Sequence, residues 1–390
     1  MDASPKRQEF RVGLAECSGY ETDEVLVAVR KAVDAVGGIG CFVREGERIL
    51  VKPNLLAART PDEVVTTHPE VVRALIRLVT EAGATAVVGD SPAGRGTPRG
   101  LHILAEKTGM AAVCREEGVE FALFTESRNH PFTRGKVAKS FELTTVLDSV
   151  DGVISVSKMK THTLTGFTGG VKNTFGLIPG LKKAEYHMRM QDASVFSDML
   201  VDLAECVAAR LNVMDAVVAM EGDGPASGDL RTMGFVAASP SPHALDIQVL
   251  RMTGVSPEDV WTVAHAVERG FVAVSEVVAV GDVPPLKTGF RMPVRTGVMS
   301  GVPRWLGSIA ALLISRKPVF SAKACTRCGA CVDICPAKAL SMGGKRPSID
   351  RGLCIRCYCC AEVCPSHAIS LSRRPLRSVG DRLARATGVR

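Results

Sequence analysis

The apolar positions of this chain alternate between two textures. Short apolar runs rich in Val, Ile and Ala occupy 10–17, 48–56, 84–89, 153–160 and 213–220. Between them, 23–36, 69–82, 98–108 and 193–210 carry apolar residues every three to four positions. The first set predicts strands and the second helices. Boundary residues agree. The 23–36 stretch runs into Gly37-Gly38, and 69–82 opens on His68 as a candidate cap, has Pro69 at its first helical position and closes at Gly83. Strands alternating with helices imply βαβ units, so the predicted class is α/β with a mainly parallel sheet.

Further along the texture changes. Residues 281–317 carry Pro284-Pro285, Pro293, Pro303 and several glycines, the composition of a linker. Its apolar patch, 305–314, has two readings: a helix packed on the body, or a contact with a membrane surface. The apolar stretch 297–314 is broken by Pro303, Arg304 and small polar residues, which argues against a membrane span. The expected organisation is an α/β body over 1–285, a linker with an amphipathic segment over 286–317, a small α+β domain over 318–372 and a basic tail over 373–390.

Composition narrows the picture. With 390 residues the chain suits two or three domains, and 46% hydrophobic against 23% charged residues excludes a mainly disordered chain. The net charge of +7 is uneven. Residues 316–390 hold 15 Lys and Arg against 4 Asp and Glu, whereas 1–315 hold 33 against 37. The C-terminal fifth is therefore expected to meet an acidic partner. Its tail has six Arg and one Asp without interleaved aromatics, which argues against nucleic acid. The N-terminus lacks the apolar core of a signal peptide, so a cytoplasmic location is expected.

Of the 13 cysteines, nine lie between Cys325 and Cys364. They form two runs, Cys325-x2-Cys328-x2-Cys331-x3-Cys335-Pro and Cys354-x2-Cys357-x2-Cys360-x3-Cys364-Pro. Three thiolates at this spacing wrap one corner of an iron–sulfur cube, and the proline stops the chain from continuing as a helix. Zinc knuckles would instead pair two C-x2-C units across a wider gap. The pattern resembles the bacterial dicluster ferredoxins, in which the fourth cysteine of each run ligates the other cluster. That resemblance implies two [4Fe–4S] clusters, one on Cys325, Cys328, Cys331 and Cys364, the other on Cys354, Cys357, Cys360 and Cys335. Cys359 is left over and reads as a packed or exposed free thiol.

The body concentrates its unusual polar residues where predicted strands end. These are Lys52-Pro53-Asn54, Gly89-Asp90-Ser91-Pro92, Lys158-Met159-Lys160-Thr161-His162 running into Gly169-Gly170-Val171-Lys172-Asn173, and Asp215 through Glu221-Gly222-Asp223-Gly224-Pro225. The stretches VKPNLL, GDSPAGRGT, SVSKMKTHTLTGFTGGVKNTFGLIPG and MDAVVAMEGDGP resemble the DUF362 family, whose members are often joined to a dicluster ferredoxin module. By strand parity Lys158 and Lys160 share one face, and Met159 and Thr161 the other. Two ammonium groups on a buried face are costly unless anions sit opposite. Lys52, Asn54, Asp90, Thr161, Lys172, Asn173 and Glu221 are the candidate ligand-binding residues, with Lys158, Lys160 and His162 as catalytic candidates. His162 is the candidate proton donor because its pKa lies near neutrality. Asp90, Asp215, Glu221 and Asp223 are equally placed to bind a metal or pair with the lysines. P-loop, G-x-G-x-x-G, G-x-S-x-G and H-E-x-x-H motifs are all missing. No motif supports a flavin, although a flavin site need not leave one.

The reading is an iron–sulfur oxidoreductase. Two [4Fe–4S] clusters would take electrons from an acidic donor such as a ferredoxin or flavodoxin and relay them to an anionic substrate or cofactor on the body. Two alternatives stand beside it: a non-enzymatic electron carrier or scaffold, and a non-redox enzyme with structural clusters. Oligomeric state is not encoded in any of these motifs.

Overall fold

The computed structural model describes residues 9–293 and 316–372. The expectations for 305–314 and for the tail 373–390 fall outside the described residues. The chain divides into two units between Pro293 and Val294.

The first unit is built on a nine-stranded sheet. Its strands are β1 (Phe10–Glu16), β2 (Arg48–Lys52), β3 (Thr85–Val88), β4 (Glu120–Phe121), β7 (Gly152–His162), β8 (Gly166–Thr168), β9 (Leu211–Glu221), β10 (Asp229–Ser239) and β11 (Val277–Gly281), while β5 (Ser127–Pro131) and β6 (Ser140–Thr144) form a separate hairpin. The spatial order is β11-β1-β10-β9-β7-β2-β3-β4, with β8 added on β7. Neighbours from β9 through β4 are parallel, as is the pair β1–β11, whereas β10 is antiparallel to both its neighbours. The reversal is local in origin. Only seven residues, 222–228, join β9 to β10, a hairpin connection too short for a parallel crossover.

Helices cover both faces. α1 (Thr22–Asp34), α2 (Pro69–Glu81), α3 (Pro98–Lys107) and α4 (Met110–Glu116) contribute to one apolar cluster. After the short turn α5 (Gly170–Asn173) and α6 (Lys182–Arg189), helices α7 (Ala193–Val207), α8 (Pro242–Met252) and α9 (Trp261–Glu268) contribute to the other. Each strand feeds both by alternation: Ile49 and Val51 face the first cluster, and Leu50 between them faces the second. Full burial of such a side chain contributes about 1.5–3 kcal/mol.

Element ends follow residue chemistry. β2 stops at Lys52 because Pro53 has no N–H to continue the ladder. α2 starts on Pro69, with His68 Nδ1 accepting the Glu70 N–H at 3.3 Å. α7 ends where Ala208 takes a left-handed φ of 47°. β7 runs two residues past the expected 153–160 strand, so Thr161 and His162 lie on the strand and are buried.

The second unit repeats one half-module with an offset of 29 residues. Its helical turns α10 (Ala330–Asp333) and α11 (Cys359–Glu362) are related by that offset. So are the left-handed residues Arg327 and Arg356, Gly329 and Tyr358, and Lys338 and His367. Strands β12 (Pro318–Phe320) and β15 (Ile369–Leu371) pair antiparallel, as do β13 (Leu340–Gly343) and β14 (Arg346–Ile349). This is the small α+β domain with short strands expected of a ferredoxin-type module.

Candidate functional site

The cysteines of the second unit assemble across the two half-modules. None of the thirteen cysteines is in a disulfide. Cys325, Cys328, Cys331 and Cys364 line one cavity. Cys335, Cys354, Cys357 and Cys360 line a second. Three thiols in each set come from one run and the fourth from the other. The left-handed residues at Arg327, Gly329, Arg356 and Tyr358 fold each C-x2-C-x2-C loop around its cavity. Backbone donors are aimed at the crossing sulfurs: Ala339 N–H reaches Cys335 Sγ and Ala368 N–H reaches Cys364 Sγ, each at 3.3 Å. A donor set made only of soft thiols, with N–H groups turned toward sulfur, fits an iron–sulfur cluster.

Cys359 is buried on α11 and lines neither cavity, with Sγ 4.0 Å from the Cys357 carbonyl. Cys359→Ser is therefore expected to leave iron and sulfide per chain at the wild-type value. A loss of about half the iron in that variant would make Cys359 a ligand.

In the first unit the strand ends meet in a buried polar array. Lys52, at the end of β2, is fully buried and its Nζ lies 2.8 Å from Asp90 Oδ1 and 2.7 Å from the Pro53 carbonyl. Asp90 Oδ2 accepts the Leu55 N–H at 2.6 Å. Asn173 joins them: its Oδ1 accepts from Lys52 Nζ (3.3 Å) and Asn54 Nδ2 (3.1 Å), and its Nδ2 donates to Ser155 Oγ at 2.9 Å. Lys160 Nζ donates to Asn54 Oδ1 (2.8 Å) and to the Val65 carbonyl (2.5 Å). Beside this chain, Lys158 Nζ sits 2.8 Å from Asp215 Oδ2 and 2.7 Å from Tyr20 Oη. Tyr20 donates to Asp215 Oδ1 at 2.9 Å, and the His68 N–H reaches Asp215 Oδ2 at 3.0 Å. The Tyr20 and His68 rings stack with centroids 3.7 Å apart.

The electrostatics follow from burial. Desolvation pushes the Lys52 and Lys158 pKa values down, and Asp90 and Asp215 act in the opposite sense. Burial and the Asp215 charge both push the Tyr20 phenol up, so it stays protonated and donates. Burial lowers His68 to about 4, with Lys158 adding to the effect and Asp215 opposing it. At neutral pH His68 is then uncharged. Because Nδ1 accepts the Glu70 N–H, its proton sits on Nε2.

The array brings together Lys52, Asn54, Asp90, Lys158, Lys160 and Asn173. The other candidates are engaged differently. Thr161 Oγ1 donates to the Gly222 carbonyl (3.1 Å) and accepts the Gly224 N–H (3.2 Å), tying β7 to the β9–β10 connection. His162 Nδ1 accepts the Leu164 and Thr165 N–H groups at 3.1 and 3.4 Å, shaping the turn into β8. Lys172 Nζ lies over the Phe175 and Phe196 rings at 5.2 and 5.9 Å. Glu221 is gripped by Arg291 Nε (2.7 Å) and Arg231 Nη1 (3.2 Å). Burial would raise its carboxyl, but those hydrogen bonds outweigh it and hold the pKa below the usual value.

The Gly-rich run does cradle an oxygen pair, but the chain supplies it. Gly170 N–H and Val171 N–H donate to Asp246 of α8 at 2.6 and 3.3 Å. Burial lifts Asp246 to about 7 even so. Gly176 is required for a different close approach: a Cβ there would overlap Asp90 Oδ1 and lie 2.6 Å from Lys52 Nζ. Gly176→Ala is expected to destabilise the unit by about 1–3 kcal/mol through overpacking. An unchanged denaturation midpoint would show that the Lys52–Asp90 pair can move aside.

Tyr20, Ser155 and Asp246 were not among the sequence candidates, and His68 was read only as a cap. Among the described residues, no helix is long and apolar enough to cross a membrane.

Comparison with known proteins adds four findings. The family model described as a domain of unknown function, DUF362, matches residues 49–251, and that of a 4Fe-4S dicluster domain matches residues 317–365. The thylakoid-associated protein sll1697 of Synechocystis sp. (strain ATCC 27184 / PCC 6803 / Kazusa) is 37% identical over 262 residues, 65% of this chain and 77% of that protein. Among solved structures, the lactate racemase apoprotein of Thermoanaerobacterium thermosaccharolyticum is similar at 12% identity and a TM-score of 0.39. That match covers 62% of this chain, which spans 57% of the length of the racemase chain.

Proposed function

We propose, for a chain that belongs to the DUF362 family and carries a 4Fe–4S-binding domain, an iron–sulfur oxidoreductase that delivers electrons to an anionic ligand held by the α/β body. One observation carries the redox half: each of two cavities is lined by four thiols in the crossed 3 + 1 arrangement. It supports two [4Fe–4S] clusters per chain. Such clusters, when bound, supply one-electron redox chemistry.

The ligand half is supported by position. Strands β2, β3 and β4 step outward in one direction, and β7 then returns to the other flank of β2. Winding therefore reverses between β2 and β7, and open α/β sheets bind ligands outside the C-terminal ends of strands at that point. Lys52 ends β2 and Asn54 follows it, and Lys158 and Lys160 lie in the last part of β7. Asp90 and Asp215 already neutralise Lys52 and Lys158 in place. Those pairs are assigned to building the site. Lys160 and Asn54 are assigned to the anionic group, and His162, with Nδ1 accepting two N–H groups, to proton donation from Nε2.

The same neutralisation favours a second reading, in which the array is purely structural and the chain is an electron carrier. A thermal-shift screen of phosphorylated and carboxylated metabolites and flavins separates the two. At 100 times its dissociation constant a ligand adds about 2.7 kcal/mol to stability. The enzyme reading expects stabilising compounds whose effect is lost in Lys160→Met. Stabilisation that survives Lys160→Met contradicts the site assignment, and an absence of any hit supports the carrier.

A further inference from the structure

We propose that the groove between β12 and the β13–β14 hairpin is the docking surface on which an acidic one-electron carrier protein reduces the iron–sulfur domain. This rests on the oxidoreductase reading and names its partner. The groove is open to solvent. Its walls are shared with both thiol-lined cavities. Phe320 and Pro347 line the groove and also the cavity of Cys325, Cys328, Cys331 and Cys364. Pro318 and Ile349 line the groove and also the cavity of Cys335, Cys354, Cys357 and Cys360. A protein seated here is separated from either thiol quartet by a single layer of side chains. Electron transfer rates fall steeply with distance, so this face is the short path into the domain.

The charge of the groove selects the partner. Lys345, Arg346 and Arg351 line it, and no Asp or Glu does. Lys345, Arg346 and Arg351 are all exposed, and Arg346 is also tied into the fold, its Nη1 donating to the Phe320 carbonyl at 2.5 Å. Val319, 42% exposed, adds an apolar contact beside the cations. An apolar spot among cations fits a small acidic carrier, because charge complementarity speeds and orients encounter while the apolar contact excludes water. In the transfer the carrier loses one electron and the domain gains one, with no bond made or broken.

The test compares the anaerobic full-length protein with the double variant Lys345→Glu/Arg351→Glu. Each is mixed in stopped flow with photoreduced acidic flavodoxin and, separately, with dithionite. The variant is expected to be reduced by flavodoxin at least tenfold more slowly at low ionic strength and to lose most of the salt dependence seen in the wild type. Its dithionite reduction and iron content are expected to be unchanged. A wild-type rate with flavodoxin would overturn the proposal, as would equal slowing with dithionite. A rate lost instead on reversing Arg373, Arg374 and Arg377 would move docking to the tail and equally overturn it. Should dithionite fail to reduce the wild type, the oxidoreductase reading itself falls, an outcome distinct from a failure of docking alone.

Discussion

Cys364→Ser is expected to remove the iron held by Cys325, Cys328 and Cys331, although Cys364 belongs to the other sequence run. Those four thiols line one cavity. Serine is a poor ligand for a cluster that selects soft donors. The variant is expected to retain about half its iron and sulfide, with the remaining centre intact on Cys335, Cys354, Cys357 and Cys360. Cys335→Ser should lose the opposite half. Each run keeping its own centre after loss of its own fourth cysteine is the signature of crossing. If Cys364→Ser instead destroyed the centre on Cys354, Cys357 and Cys360, the runs would be uncrossed and the cavity assignment wrong. Iron and sulfide analysis with electron paramagnetic resonance of the reduced variants distinguishes the two.

The second large effect concerns the body. Lys158 and Asp215 are 1% and 0% exposed and face one another at 2.8 Å. Removing one partner leaves a buried charge without compensation. Asp215→Ala is therefore expected to destabilise the body by about 3–5 kcal/mol. In a domain of this size that lowers the melting temperature by on the order of 10 °C. Lys158→Met/Asp215→Leu removes both charges and is expected to recover much of the loss, because a buried pair replaced by apolar groups is often near neutral. A single variant as stable as the wild type would mean that water or another group compensates the Lys158 ammonium. A double variant as unstable as the single would place the cost in lost hydrogen bonds to Tyr20 and the His68 N–H, not in charge.

These two sites differ in how far sequence alone revealed them. The thiol quartets were legible because their geometry is encoded locally: ligands two or three residues apart, repeated at an offset of 29. The lysines were legible as charges at the ends of apolar strands. Asp90 and Asp215 were legible as groups that could pair with them, but the further groups that hold those carboxylates were not, because they arrive from far along the chain. Tyr20 lies 195 residues from Asp215, and His68 lies 147 residues from it. The carboxylate that occupies the Gly170 and Val171 N–H groups comes from Asp246, 76 residues past Gly170.

Lys172 illustrates a limit of spacing arguments. It is adjacent to Asn173, and both were expected beside Lys158 and Lys160. The intervening backbone is the helical turn α5, where successive side chains point about 100° apart. Asn173 consequently enters the array while the Lys172 ammonium lies over two phenylalanine rings. The antiparallel β10, inserted in a sheet that otherwise alternates with helices, was likewise outside what periodicity alone could place. Its position depends on pairing with β1, more than 200 residues earlier in the chain.

The most direct test is the metal content of the protein as purified without oxygen. Two crossed quartets predict close to eight iron and eight acid-labile sulfide per chain, with a visible absorption that bleaches on reduction. Tetrahedral zinc without sulfide, or iron near four per chain with Cys335→Ser and Cys364→Ser both silent, would contradict it.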